Sequence, residues 1–317
     1  MDRIEAMKVF VAALDEGSLA GAGRLLRRSP AAVSRAIAFL EAHVGVELLY
    51  RTTRSIRLSE AGARYAAACR RILTELEEAD ILAVGEKSAP RGVLTISAPP
   101  IGGEDVLRPI VDDFLNAYPM VSIRLLLLDR TVNLVEEGID LALRVAHLPD
   151  SSLIATRVGN DVRKVVVASP AYLAAHPPIV EPADLAAHRI IAFANHGLDS
   201  WSFTPARGST IPRTVQFAPR LTVNTVRAAA ASAIAGTGLT RLYSYHVAEA
   251  VQNGQLRVVL ADAEHPALPV HLLAPQGRVA VPKVRAFVDF ATPRLRSVFA
   301  RLAIEARALS TFEYSEL

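Results

Sequence analysis

The sequence predicts a multidomain α+β chain in which a helix-turn-helix module with a basic wing is followed by a long helix and a larger α/β body. Three observations predict it. Two short helical patterns meet at residues 27–30, and a strip of arginines and threonines follows them. From residue 59 a helical pattern carries apolar residues spaced four, three, four, three and four. Past a Pro/Gly break at 86–92, short apolar runs alternate with helical patterns, which is the arrangement of an α/β protein.

Residues 2–15 place Ile4, Met7, Phe10, Val11 and Leu14 at helical intervals, giving a first helix with one apolar face. In residues 18–44, Ser29 reads as a side-chain N-cap and Pro30 as the first helical residue, where its missing N–H costs nothing. Val33, Ile37, Leu40 and Val44 then recur on one face and leave Ala31, Ala32, Ser34 and Arg35 on the other, near the helix start. Small residues plus one arginine suit a major groove, with Ser34, Arg35 and the methyls of Ala31 or Ala32 as base readers. On residues 18–44 alone, an ordinary helical hairpin fits as well. Arg51, Thr52, Thr53, Arg54 and Arg57 then add the groups that phosphate contacts need. Between residues 24 and 57 seven arginines oppose only Glu41 and Glu47, whereas the whole chain is +3. Such local concentration of charge is the footprint of a nucleic-acid-binding module. Gly21 and Gly23 each cost about 1 kcal/mol relative to alanine inside a helix, so close packing is expected there.

Ser59 caps the long pattern, in which Tyr65, Cys69, Ile72, Leu76, Ala79 and Ala83 form a seam of the kind that pairs with another helix. A lone amphipathic helix lying on its own domain is the alternative. In the body, strands are expected at 93–97, 121–128, 139–145, 164–168, 189–194, 220–223, 237–242, 256–260 and 270–274. Helices are expected at 105–118, 132–137, 170–175 and 225–235, and from residue 282 onward. Alternation with short connections implies a parallel sheet covered on both faces.

At 317 residues, 51% apolar and only 6% aromatic, the chain has a core built from Ala, Val, Leu and Ile. Cys69 is the sole cysteine, which excludes an intrachain disulfide and a cysteine-cluster zinc site and suits a reducing cytoplasm. Neither a signal-like N-terminus nor a long apolar stretch occurs, so no membrane partner is expected. No G-x-S-x-G, P-loop, H-E-x-x-H or G-x-G-x-x-G motif is present, and Gly236-Thr237-Gly238 is too short for a phosphate loop. His43, His176, His188, His246 and His271 read as exposed helix, turn or strand flank, without ligand spacing. Catalysis, a metal and a cofactor are not expected.

Residues 1–60 resemble the winged helix-turn-helix domain of LysR-type transcriptional regulators. The match is carried without a gap by Phe10, Gly17-Ser18-Leu19, Ala22, Leu25, Ser29, Ala32-Val33-Ser34-Arg35, Leu40-Glu41, Gly45-Val46, Leu48-Leu49, Arg51-Thr52-Thr53-Arg54, Leu58-Ser59 and Ala61-Gly62. Pro30-Ala31 stands where the family often has Gln-Pro, and Ala36 where it often has Gln, so fewer amides are available to read adenine edges. Residues 91–317 resemble the two-lobed effector-binding domain of the same family, which is similar to type II periplasmic binding proteins. Its markers include Ser97-Ala98-Pro99, Tyr118-Pro119, the run from Leu134 to Arg144, Pro149-Asp150-Ser151-Ser152-Leu153, Ala168-Ser169-Pro170-Ala171-Tyr172-Leu173, and Asn224 with Gly236-Thr237-Gly238-Leu239. Arg241-Leu242-Tyr243 departs from the apolar-plus-proline pattern common there.

The resemblance implies a DNA-binding domain over 1–59 and a dimerising linker helix and hinge over 60–90. It implies one lobe from 91–161 plus 266–317 and a second from 162–265. Double-stranded operator DNA would be bound by a homodimer or by a homotetramer, a dimer of dimers, and Cys69 would be a small apolar seam residue. In open α/β sheets, ligands bind beyond the carboxyl ends of strands, near helix N-termini. That places a small-molecule effector against Ser97, Ala98, Pro99, Pro100, Ile101 and Gly102, against Arg144 and Val145, and against Thr222 and Asn224. Phe193, Asn195 and Trp201 would line the far wall, and Arg144 favours an anionic effector. The alternative is a small-molecule binding protein whose N-terminal segment serves assembly, against which the basic strip argues. An enzyme on the same scaffold would require a perturbed acid or base pair in the cleft.

Overall fold

The computed structural model describes residues 2–51, 56–84, 89–148, 153–193 and 199–308. Its N-terminal module is built from capped helices. Helix α1 (Arg3–Asp15) starts at Asp2, α2 (Leu19–Leu25) at Ser18, and α3 (Pro30–Val44) at Ser29. Ser18 Oγ accepts from Gly21 N at 3.0 Å and Ser29 Oγ from Ala32 N at 3.2 Å. Each such cap is worth about 1 kcal/mol. Helix α3 stops at Gly45, whose φ of +76° is the left-handed C-cap that favours glycine. Gly23 is explained by close approach: a Cβ there would come within 2.7 Å of the Arg28 carbonyl oxygen.

A hairpin of β1 (Leu49–Arg51) and β2 (Ile56–Leu58) forms the wing, with Tyr50 paired to Arg57. Ser59 Oγ then donates to the Glu47 carbonyl and accepts from Gly62 N, starting α4 (Glu60–Val84). A side chain at Gly62 would collide with the Leu48 carbonyl, so α4 crosses directly on the wing. Ala66 and Cys69 of α4 are buried in the core that Phe10, Val33, Ile37 and Leu40 share, with Tyr65 and Leu73 packed against it. This corrects the seam. Its N-terminal half faces the module's own core, because the register 66, 69, 73 rather than a strict heptad sets the buried stripe, while Ile72 and Ala79 are exposed.

In the body β3 (Gly92–Ala98), α5 (Arg108–Ala117), β4 (Val121–Leu127), β5 (Leu141–Val145) and β6 (Leu153–Val162) come first. Then follow β7 (Lys164–Ala168), α6 (Pro170–Ala174), β8 (Ile190–Phe193), β9 (Ser200–Phe203), β10 (Arg213–Gln216) and β11 (Leu221–Val223). The chain ends with α7 (Val226–Ile234), β12 (Leu239–Tyr243), α8 (Ser244–Gln252), β13 (Arg257–Val259), β14 (Leu268–Pro275) and α9 (Pro282–Ala308). Two five-stranded sheets result, in the orders β4-β3-β5-β14-β6 and β11-β8-β12-β7-β13. The chain passes from the first sheet to the second between β6 and β7, and returns between β13 and β14.

Both sheets are mixed rather than parallel. Strand β14 runs antiparallel to β5 and β6, and β12 antiparallel to β7. Strands that cross between lobes re-enter from the opposite end, and their apolar composition carries no sign of direction. Where a helix over 132–137 is expected, the chain instead makes turns over 134–138 that end on Gly138 at φ +65°. The helix expected from 105 is preceded by a π-helical turn, Gly102–Leu107. Strand β6, the β9–β10 hairpin and α8 have no counterpart in the sequence reading.

One half-buried ion pair joins the crossings. Arg163 donates through Nε and Nη2 to the two Glu264 carboxylate oxygens at 2.7 Å each, and through Nη1 to the Ala306 carbonyl at 2.9 Å. It ties both inter-lobe passages to the last helix.

Candidate DNA interface and effector cleft

On α3 the core face is Val33, Ala36, Ile37 and Leu40, all buried. The opposite face presents exposed Pro30, Ala31 and Arg35, with Ala32 and Ser34 half-buried and Ser29 exposed at the cap. Because Ala36 belongs to the buried set, the amide missing at that position takes nothing from the exposed face. Arg28 is held by Glu5 of α1 at 2.6 Å, which fixes the turn before α3. Arg57 is exposed on β2. Thr52 and Arg54 lie outside the described residues, as does the side chain of Arg51. The α3 N-terminus and Arg57 thus put a helix start, one arginine and a basic strand on one small module, which is what groove entry and phosphate contact require.

In the body the chain leaves β3 at fully buried Ser97 and Ala98 and continues through half-buried Pro99 and Pro100. Ile101 is inserted into the core of the second lobe beside Val165, Phe193 and Leu242. The hydroxyl of Tyr245, on α8, lies where a Cβ on Gly102 would be 3.4 Å away. That hydroxyl is buried and has no hydrogen-bond partner among the described residues, and its burial pushes its pKa up. Arg144 is half-buried. Its Nη2 donates to Ser97 Oγ at 3.0 Å and its Nη1 to the Leu143 carbonyl at 2.8 Å, while burial lowers its pKa against the pull of Glu137. The Val145 carbonyl accepts from the Tyr243 hydroxyl at 3.4 Å, a contact across the lobes.

On the far side, Thr222 and Asn224 are exposed, and Thr225 Oγ1 caps α7 through Ala228 N. Phe193 and Trp201 are corrected from wall to core: they are 3% and 1% exposed. The Arg241 guanidinium sits 5.2 Å from the Trp201 ring centroid, and burial lowers its pKa to about 10. An aromatic residue at a strand end reads the same whether it points into a cleft or into a lobe. Asn195 lies outside the described residues. His188 and His271, expected at exposed positions, are buried.

Sequence reasoning missed a cross-lobe ion pair. Arg227, in the first turn of α7, reaches Glu104 at 2.8 Å and Asp105 at 3.5 Å on the π-helical turn of the other lobe. A signal existed. An arginine in a helix's first turn opposes the macrodipole, so its presence calls for acidic partners nearby. The residues expected to line the cleft thus lie beside one polar strand end, one capped helix and one charge bridge between the lobes.

A winged helix-turn-helix joined by one helix to a two-lobed binding body defines a DNA-binding regulator that responds to a ligand. Comparisons with known proteins agree along the chain. A family model described as a bacterial regulatory helix-turn-helix protein of the lysR family matches residues 4–63, and one described as the LysR substrate binding domain matches residues 87–296. An HTH-type transcriptional regulator of Xanthomonas campestris pv. campestris is 36% identical over 293 residues, covering 90% of this chain and 84% of the relative. Among solved structures, CrgA, a LysR-type transcriptional regulator from Neisseria meningitidis, matches at 30% identity with a TM-score of 0.57, over 92% of this chain and 98% of that one. The Vibrio cholerae virulence activator AphB matches at 26% identity with a TM-score of 0.59, over 92% and 98% of the two chains. The chain belongs to the LysR family of bacterial transcriptional regulators.

Proposed function

We propose that this protein binds operator DNA in the cytoplasm as a homodimer or dimer of dimers, and that a small-molecule effector held between its lobes changes that binding without catalysis. The observation that carries this reading is the exposed N-terminal face of α3, whose small residues and Arg35 stand clear of the core that Ala36 and Ile37 join. Ser29, Pro30, Ala31, Ala32, Ser34 and Arg35 would enter the major groove, and Arg51, Thr52, Arg54 and Arg57 would hold phosphates. The exposed Ile72 and Ala79 on α4 support pairing of this helix with a second copy. Ser97, Ala98, Pro99, Pro100, Ile101, Gly102, Arg144, Val145, Thr222 and Asn224 would surround the effector, and Arg144 supplies the charge that an anionic one needs. The domain limits proposed with it are 1–59, 60–90, 91–161 with 266–317, and 162–265, and the passage of the chain between the two sheets after β6 and before β14 supports the two-lobe division.

The test is a binding titration on the DNA directly upstream of the coding sequence, against random DNA of equal length, at two salt concentrations. Selective binding that survives the higher salt is expected. Absence of binding to either DNA at low salt would favour the reading in which residues 1–90 serve assembly.

A further inference from the structure

Where the DNA-binding module meets the body, one carboxylate is shared between them. Asp15, the last residue of α1, accepts from Arg70 of α4 at 2.6 Å and pairs with Arg124 of β4 at 2.9 Å. Arg70 belongs to the module and Arg124 to the first lobe, so Asp15 is shared between them. The Asp15 and Arg70 side chains are 20% and 22% exposed, so the pair is partly covered and water still screens it in part. The Arg70 stem also lies over Gly138, where φ is +65° and a Cβ would stand 2.9 Å from Arg70 Cδ. Gly138 is thus required both by its backbone and by the arginine crossing it. A cavity of about 700 Å³ opens beside the contact, with Leu14 and Leu73 on the module side and Thr95, Leu126, Glu137 and Arg278 on the body side.

The body side of that cavity continues the sheet face that carries the cleft residues. Strand register pairs Thr95 with Arg124 and Ser97 with Leu126, and Ser97 also pairs with Ala142. Alternation along the strands puts Thr95, Ser97, Arg124, Leu126 and Arg144 on one face. Glu137, on the body side of the cavity, accepts from both Arg130 Nη groups at 2.8 and 2.6 Å. Arg70, Arg124, Glu137 and Asp15 therefore border one cavity on the sheet face that also carries Ser97 and Arg144.

We infer that the Arg124–Asp15–Arg70 contact is a clamp that docks the DNA-binding module on the first lobe and couples that lobe to α1 and α4. The clamp is a positioning device, and its coupling role rests on the reading of the body as an effector domain. Arg124 is the member to change, because it is partly exposed and its loss leaves the Arg70–Asp15 pair intact. Energetic coupling between sites needs such a contact with two arrangements, engaged and released.

The experiment compares the full-length wild type with Arg124→Glu and Arg124→Lys by hydrogen exchange and by titration on the upstream DNA, with the emission of Trp201 as the control for an intact body. Arg124→Glu should raise exchange severalfold near the C-terminus of α1 while α3 stays protected, and should change upstream-DNA affinity severalfold. Arg124→Lys should restore both. Unchanged exchange in Arg124→Glu would overturn the docking. Raised exchange with wild-type DNA affinity would overturn the coupling. Should the wild type show no selective DNA binding, the regulator reading fails with it, and the exchange comparison still decides whether the module is clamped.

Discussion

In the DNA-binding module each helix is started by a side chain within the same short segment, whereas the body is closed by groups far apart in sequence. Ser18 and Ser29 cap their helices three residues away. Arg163 and Glu264 meet across 101 positions, and Arg227 and Glu104 across 123. The module's organisation is local and its surface small, so propensity, caps and one apolar stripe decide it. The body has two lobes, each with two buried apolar clusters, and two passages between them, and their relative placement involves long-range charges together with Ile101. Damage to the two regions should therefore look different.

The largest difference is expected from Arg163→Ala. It leaves the buried Glu264 carboxylate without its guanidinium partner, a change that costs about 3–5 kcal/mol. Trp201 is the only tryptophan and sits in the second lobe's core, so denaturant unfolding followed by its fluorescence should show the full loss. Ser29→Ala removes one cap and should cost about 1 kcal/mol. Hydrogen exchange should place that loss in α3 while the Trp201 transition keeps its midpoint. A shift of the Trp201 midpoint in Ser29→Ala would show that the two regions do not stabilise separately.

A smaller effect is expected with pH. Burial, helped by repulsion from His176 and opposed by Asp184, holds His188 below its ordinary range. The unfolded chain then takes up the proton first, so stability is complete above the unfolded value of about 6.5 and declines as pH falls below it. His271 is lowered in the same direction by burial. His188→Gln should flatten part of the decline between about pH 7.5 and about pH 5.5, read again from the Trp201 transition. An unaltered pH dependence would mean that His188 keeps its proton affinity on folding.

The same comparison explains how far the sequence could be read. Caps, proline position and apolar spacing specify the α3 face almost residue by residue, because each is a short-range rule. Even there the α4 seam was misassigned in its first half, since a helix stripe can serve its own domain or a partner. In the body, strand positions are legible, but direction is not: β14 and β7 read as parallel strands and run the other way. Alternation reports burial and not which core receives the residue, so Phe193 and Trp201 read as cleft wall although they are packed in the second lobe's cores. Arg227 and Asp15 escaped because their partners lie in other lobes or domains.

The central claim is that α3 reads sequence while the wing supplies phosphate contacts. The most direct test titrates wild type, Arg35→Ala and Arg57→Ala against the upstream DNA and random DNA of the same length over a range of salt. Arg35→Ala should lose about 1–3 kcal/mol of selectivity with its random-DNA affinity kept, and Arg57→Ala should weaken both DNAs alike and reduce the salt slope by about 1. Identical effects of the two changes on both DNAs would contradict the division of roles.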